Sequence, residues 1–458
     1  MRINGTARKG LLAMTALLAC AAVALATRGA AVASPRSTGV APPKINSSWY
    51  FAEGSTDWGF EEFVCVQNPT PTNGIVQARY MLSGGGGQRI GVPFVLPAYS
   101  RATINVADVV PGADVAVRVD SDVDVVCERS MYWANRIEGH DSIGVSAPSN
   151  TWFLAEGCTD YGFEEFVCIQ NPGTKSSTVN ITYNTPAGPR KRAPIAVPAL
   201  SRKTIKVNDD VPPSDVSVTL SATQPVVAER SMYWGSRRDG HDSIGTTAPA
   251  NNWFMAEGST KWGFDTYVLV QNPSAADAKV TMTFLTENGP KPAPAMLVKA
   301  GARKTVDTRA LIGDADFSTS VTASQGVICE RSMYWNNGTG KAGHDTIGVT
   351  EPKDNCYLAE GTTLYGFETF VLIANPNDAE NIVSVQYDTP HGVETGPSFT
   401  MPPLSRVTVN VKSDVPDSDV SIEVMGTKIV AERAMYWHNR GGGHDSIGYM
   451  SDSGDGCP

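Results

Sequence analysis

A small set of charged side chains returns four times at nearly fixed spacing. Glu53, Arg101, Glu128, Arg129, His140 and Asp141 are followed by Glu156, Arg202, Arg230 and His241, then by Glu257, Arg303, Arg331 and His344, and last by Glu360, Arg406, Arg433 and His444. Acids, a base and an imidazole in one unit are the raw material of a metal site, an acid–base pair or an ion-pair network. On an extended strand, Cys127, Arg129, Met131 and Trp133 share one face, and Glu128, Ser130 and Tyr132 the other. An arginine on an apolar face needs a carboxylate, because an unpaired buried charge costs several kcal/mol. Glu53 and Asp141 are the expected partners. The expected role is structural, a hydrogen-bonded network that ties the first strand and a closing Gly-His-Asp loop to the body of each unit. The sharper alternative is a ligand or metal site built from His140, Asp141 and Glu53.

Catalysis fits the pattern poorly, so no enzyme, cofactor or metal is expected. The nucleophile elbow G-x-S-x-G is missing, because His140 and not glycine lies two residues before Ser142. The third unit has Thr346 in place of that serine. The acidic pair Glu61-Glu62, kept as Glu164-Glu165, becomes Asp265-Thr266 and Glu368-Thr369, which removes paired acid–base work. No H-E-x-x-H, phosphate-loop or C-x-x-C spacing occurs. Asp120-x-Asp122-x-Asp124 imitates half a calcium loop without its glycine and reads as an acidic turn.

Aromatic residues offer a second chemistry. Trp58, Tyr161, Trp262 and Tyr365 each precede Gly-Phe in a turn-like stretch. Rings exposed there would stack on sugars, and these four are the ligand-contact candidates. Trp133 and its copies read as core, since aromatic rings dominate core burial.

Seven cysteines follow the leader: Cys65, Cys127, Cys158, Cys168, Cys329, Cys356 and Cys457. Two disulfides are open. Cys65–Cys127 would bridge the sheets of the first unit. Cys356–Cys457 would close a long loop over the last one, where the chain-entropy model allows up to ~4.7 kcal/mol. Leu and Ala replace Cys65 and Cys127 in other units, so the fold does not require either bridge.

These residues sit in a repeat. Trp133, Trp234, Trp335 and Trp437 each end an E-R-(S/A)-M-Y-W string, with separations of 101, 101 and 102 residues. The units are 47–149, 150–250, 251–353 and 354–450, and 451–458 is a tail. A unit of ~100 residues holds its own core and exceeds the 20–45 residues of a solenoid repeat. The hydrophobic period is two. Phe63–Val66, Val76–Met81, Gly91–Leu96, Thr103–Val106, Val115–Val119 and Val125–Trp133 read as short strands between turns. Strands at 8–12-residue spacing predict an all-β chain of four tandem immunoglobulin-like β-sandwich domains. A propeller with each unit split into two blades ranks second.

The chain has 458 residues and a net charge of −10. Residues 1–33 hold four basic and no acidic side chains, so the remainder carries −14, which disfavours nucleic acid as a partner. Arg2, Arg8 and Lys9 precede the apolar run Leu11–Ala26, and Ala31-Val32-Ala33 reads as a cleavage site. Residues 1–33 therefore read as a signal peptide, and 34–46 as a flexible lead-in. A lipid anchor at Cys20 is the competing reading. No further apolar span predicts a transmembrane segment.

The set A-E-G … N-P … (A/C)-E-R-x-M-Y-W … G-H-x-S-x-G, which covers about 47–450, resembles tandem modules of uncharacterised secreted bacterial surface proteins. The resemblance implies a cell-surface or extracellular location and no activity. The expected function is a non-catalytic structural or adhesive spacer whose partners are cell-envelope polymers or other surface proteins. A carbohydrate- or peptidoglycan-binding protein is the second reading and a cell-wall hydrolase the third.

Overall fold

In a computed structural model, residues 39–452 are described, apart from Thr339. The leader with Cys20, and Cys457 in the tail, lie outside the described residues.

The first unit shows the pattern. β-Branched and aromatic residues alternate in β1 (Ser47–Phe51), β2 (Glu61–Asn68), β3 (Gly74–Leu82), β4 (Gln88–Ile90), β5 (Phe94–Leu96), β6 (Ser100–Asn105), β7 (Val115–Ser121), β8 (Val126–Trp133) and β9 (Glu138–Ile143). They form two antiparallel sheets. One has the order β1-β7-β3-β4, with β5 also on β3, and the other has β6-β2-β8-β9. The chain is all-β and sandwich-type. In the other units β7 and β8 fuse into single long strands, Ser217–Trp234, Phe317–Asn336 and Ser421–Trp437, which pass from one sheet to the other. Short 3-10 turns and the one-turn helix Arg309–Ile312 are the helical segments among the described residues.

Buried tryptophans anchor the seam between the sheets. The indole N–H groups of Trp49, Trp152 and Trp253 donate to the carbonyls of Val125, Val226 and Val327 at 2.6, 2.8 and 2.8 Å. In the fourth unit Cys356 stands there and its thiol donates to the Ala431 carbonyl.

The Gly-His-Asp segment is a strand. Glu138–Ile143 and its copies Asp239–Ile244, Lys341–Ile347 and Gly442–Ile447 each pair with the strand before them. Each of these inner strands also packs against the inner strands of both neighbouring units, the fourth against the first included. The four units therefore close into a ring. Their inner sheets stand face to face around a pseudo-fourfold axis, as propeller blades do, with one such sheet from each unit. Ile143, Ile244, Ile347 and Ile447 meet at one axial end, around a cavity of about 540 Å³. A head-to-tail interface of this kind needs no twofold axis and ends where the rotation closes.

The cysteine pairing in the first unit fails on register. Cys65 lies opposite Glu128, and Cys127 opposite Val66. The two cysteines are on adjacent strands of one sheet and point to opposite faces. Cys65, Cys127 and Cys356 are all free thiols. The Cys356–Cys457 pairing involves a residue outside the described ones.

Candidate functional site

Ring closure decides where the charged residues go. Arg129 is fully buried. Its guanidinium donates to Glu53 of its own unit at 3.0 Å, and to Glu229 and Asp242 of the next at 3.1 and 2.5 Å. The set recurs at each interface. Arg230 binds Glu156, Glu330 and Asp345 at 2.8, 3.3 and 2.6 Å. Arg331 meets Glu257, Glu432 and Asp445 at 3.6, 2.8 and 2.5 Å. Arg433 closes the ring onto Glu360, Glu128 and Asp141 at 3.1, 2.7 and 2.6 Å. Glu53 is thus a partner of Arg129, as expected. Asp141 is not, because it belongs to Arg433, and the aspartate on Arg129 is Asp242.

The acid of the E-R string also reaches across. Its carboxylate accepts the backbone N–H of an alanine in the preceding unit: Ala52 to Glu229 at 2.9 Å, and Ala155, Ala256 and Ala359 to Glu330, Glu432 and Glu128, each at 2.6 Å. Arg202 and Arg303 reach back as well, to the carbonyls of Ala52 and Gly157, both at 3.2 Å. Arg101 contacts Ser421 at 3.3 Å. Arg406 bonds Thr408 within its own unit.

Histidine and tyrosine complete each cluster. His140, His241, His344 and His444 lie at 3.1, 3.0, 3.1 and 3.1 Å from the hydroxyls of Tyr233, Tyr334, Tyr436 and Tyr132, each in the next unit around the ring. Those hydroxyls donate to Glu53, Glu156, Glu257 and Glu360 at 3.4, 3.1, 3.2 and 3.0 Å. Burial pushes the imidazoles down, His241 to about 4 and His344 to about 3, so they are neutral. Arg331 and Arg433 donate to Nδ1 of His344 and His444 at 3.3 Å, which assigns the Nε2–H tautomer from the network.

Each arginine faces three buried carboxyl groups, and a shared proton reduces the excess charge. Burial, then the Glu156 carboxylate, raises Asp345; burial also acts to raise Glu156, but the Arg230 guanidinium and the hydrogen bonds to its carboxylate outweigh it and hold that group down. Between the third and fourth units the roles exchange, with Glu257 raised and Asp445 lowered. Like charges this close do not both ionise.

Asp141, Glu360 and His444 bring one ligand atom each within 4.8 Å of one another, as do the groups Glu156, His241, Asp345 and Glu257, His344, Asp445. That spacing suits a cation, and Oδ2 of Asp141, Asp345 and Asp445 accepts no hydrogen bond, but the arginine and tyrosine contacts above hold another ligand atom of each side chain. A cation there would also face a guanidinium. The clusters have the chemistry of locks between units.

The aromatic candidates are different. Trp58, Tyr161, Trp262 and Tyr365 are 79%, 82%, 77% and 57% exposed. All four sit in the left-handed region, at φ of 58°, 54°, 58° and 55°, each before a glycine that is also left-handed. The Phe60 N–H closes the first turn onto the Asp57 carbonyl at 2.9 Å. A bulky residue in that conformation stores strain. Trp133, by contrast, is core, and its indole donates to the Arg237 carbonyl of the next unit at 3.0 Å.

Two kinds of residue escaped sequence reasoning. The E-R-x-M-Y-W tyrosines are inter-unit hydrogen-bond donors, and the signal for that was their strict recurrence beside a charged pair. Glu62 and Glu165 are fully buried, and neither carboxylate accepts a hydrogen bond of ordinary geometry. Their raised proton affinity comes first from burial, and Glu165 is pushed up to about 8.

No family model and no curated protein matches the chain. Among solved structures, the chain is similar to Thermotoga maritima 1070 at 18% identity and a TM-score of 0.20, over 22% of this chain and 94% of that one. It is similar to the Anabaena sensory rhodopsin transducer at 28% identity and a TM-score of 0.17, over 19% of this chain and 98% of that one. A tetra-tandem repeat from the extending region of a large adhesion protein aligns at 12% identity and a TM-score of 0.11, over 83% and 92% of the two chains.

Proposed function

We propose that this protein is a non-catalytic, exported adhesive protein, a closed four-unit platform that grips cell-envelope glycans through matched aromatic tips. One observation carries the reading: Trp58, Tyr161, Trp262 and Tyr365 stand exposed at equivalent places on the ring, each in a left-handed backbone conformation. Flat rings in water are suited to the apolar faces of sugars. Four weak contacts on one rigid body gain affinity through effective concentration. The ionic clusters support the non-catalytic reading, since each of the four Gly-His-Asp histidines faces a tyrosine hydroxyl inside a closed interface. The platform is adhesive rather than a spacer, because the fourth unit packs on the first and the string cannot extend. No helix among the described residues is long and apolar enough to cross a membrane.

The test is a pull-down of the mature chain with insoluble cell-wall glycans and with intact cells. A Trp58→Ala, Trp262→Ala, Tyr365→Ala variant is expected to lose most of the bound fraction. Undiminished binding by that variant overturns the reading.

A further inference from the structure

The four interfaces are not equal, and the difference exposes a cleft. In three units an arginine follows the Trp of the Y-W pair by three residues, in a left-handed turn: Arg136, Arg237 and Arg440, at φ of 60°, 62° and 63°. Each pairs with the acid that opens the second strand of its unit, Arg136 with Glu61 at 2.5 Å, Arg237 with Glu164 at 2.7 Å and Arg440 with Glu368 at 3.8 Å. Each guanidinium also lies over a ring, Phe63 at 5.5 Å, Phe166 at 5.6 Å and Tyr436 at 5.6 Å. The third unit breaks this clasp. The arginine position is Gly338, and the acid is the shorter Asp265. Tyr267, the counterpart of Phe63 and Phe166, is left without its guanidinium cover.

A cavity of about 630 Å³ opens at this place, between the second and third units. It is within the size range of small-molecule sites. Tyr161, Trp234, Tyr267 and Tyr334 are among its walls, so one of the four exposed rings stands at its lip. Arg303 also lines it. That side chain is 3% exposed, and its Nε has no hydrogen-bond partner. Glu156, Asp215, Arg303 and Lys341 bring charges that cancel. Aromatic walls, a buried unspent donor and no net charge match an uncharged sugar ring, which has an apolar face and a hydroxylated edge.

We propose that the cleft between the second and third units is a discrete site for a short neutral oligosaccharide, made available by loss of the arginine clasp in the third unit. The proposal rests on the glycan-binding reading above, and the two fail separately in the following experiment. Triacetylchitotriose, cellotriose and maltotriose are titrated into the mature protein, with binding followed by calorimetry and tryptophan fluorescence. Trigalacturonate serves as the charged comparison. At least one neutral trisaccharide is expected to bind with one-to-one stoichiometry, and more than tenfold tighter than trigalacturonate. A Gly338→Arg, Asp265→Glu variant rebuilds the clasp and is expected to abolish that binding while still capturing insoluble glycan. Tyr267→Ala provides a second test that leaves the loop intact, with a loss of tenfold or more. The Trp58→Ala, Trp262→Ala, Tyr365→Ala protein keeps Tyr161 and is expected to retain trisaccharide binding even where its capture of polymer falls. Absence of binding by all three neutral sugars, binding that survives both the clasp and Tyr267→Ala, or stoichiometry near four overturns the proposal.

Discussion

Replacing Glu165 by threonine should make the protein more stable at alkaline pH and bring no gain in mild acid. Glu165 is fully buried, with no well-formed hydrogen bond to either carboxylate oxygen, and burial pushes its carboxyl from 4.5 to about 8. The folded protein keeps a proton that the unfolded chain releases. The stability of the folded state is therefore intact below pH 4.5 and erodes as pH rises, until the folded group ionises near 8. At 1.36 kcal/mol per pH unit, the erosion is about 3 kcal/mol at pH 7 and about 5 kcal/mol above pH 8. Thr266 and Thr369 occupy the equivalent position in the third and fourth units. There the hydroxyl donates to the carbonyls of Ser259 and Thr362, each at 2.5 Å. Threonine in the second unit has the matching Cys158 carbonyl to meet. Glu165→Thr should thus gain several kcal/mol at pH 8.5 and close to nothing at pH 4.5, less a pH-independent packing loss of about 1 kcal/mol. Urea unfolding at a series of pH values from 4.5 to 9 measures this directly. A gap between variant and parent that is the same at every pH would refute the argument.

Arg230→Met leaves Glu156, Glu330 and Asp345 without their cation and should cost about 3–5 kcal/mol at pH 7, read as a fall in the urea midpoint; the loss should shrink in acid as those carboxyls take up protons. Tyr334→Phe removes the hydroxyl between His241 and Glu156 and should cost about 1–3 kcal/mol, whereas Tyr267→Phe, in the cleft wall, should stay within about 0.5 kcal/mol of the parent in the same unfolding assay. Trp58→Gly relieves a left-handed tryptophan and should stabilise the chain by about 1 kcal/mol, while weakening capture of insoluble glycan; a destabilised variant would show that the ring is held by packing.

The repeat, its strands and the buried arginine were legible because each leaves a local pattern. Val64–Val66 alternates against Arg129–Cys127 in the expected way, and an arginine beside Met131 and Trp133 demands acids wherever they come from. Ring closure was not legible, for a reason intrinsic to repeats. Shifting the chain by one period turns Asp141 into Asp242, so the sequence holds no mark that tells an intra-unit partner from an inter-unit one. Glu53 pairs with Arg129 of its own unit, whereas Asp141, the aspartate nearest Arg129 in sequence, lies on Arg433. The Gly-His-Asp segment looked like a loop because a strand with three polar residues in a row has no single apolar face. Its polar groups are satisfied by the neighbouring units, which a one-unit reading leaves out. The sequence offers Cys65 and Cys127 as bridge partners because it carries no register, and register points them to opposite faces of one sheet. For Trp58 and its copies the sequence leaves core and exposed ring evenly matched, because a turn-like stretch before Gly-Phe is compatible with both, and the structure exposes all four rings.

Joining the four units in one polypeptide has a consequence for how such a molecule can diversify. A ring of four separate identical subunits would carry any change four times over, so opening one interface would open them all. Here Gly338 and Asp265 stand in only one of four equivalent settings, and the Arg136–Glu61, Arg237–Glu164 and Arg440–Glu368 pairs persist elsewhere. Covalent linkage lets the rim of one interface change alone, while the Arg230 cluster beneath it and the other three interfaces keep the ring closed.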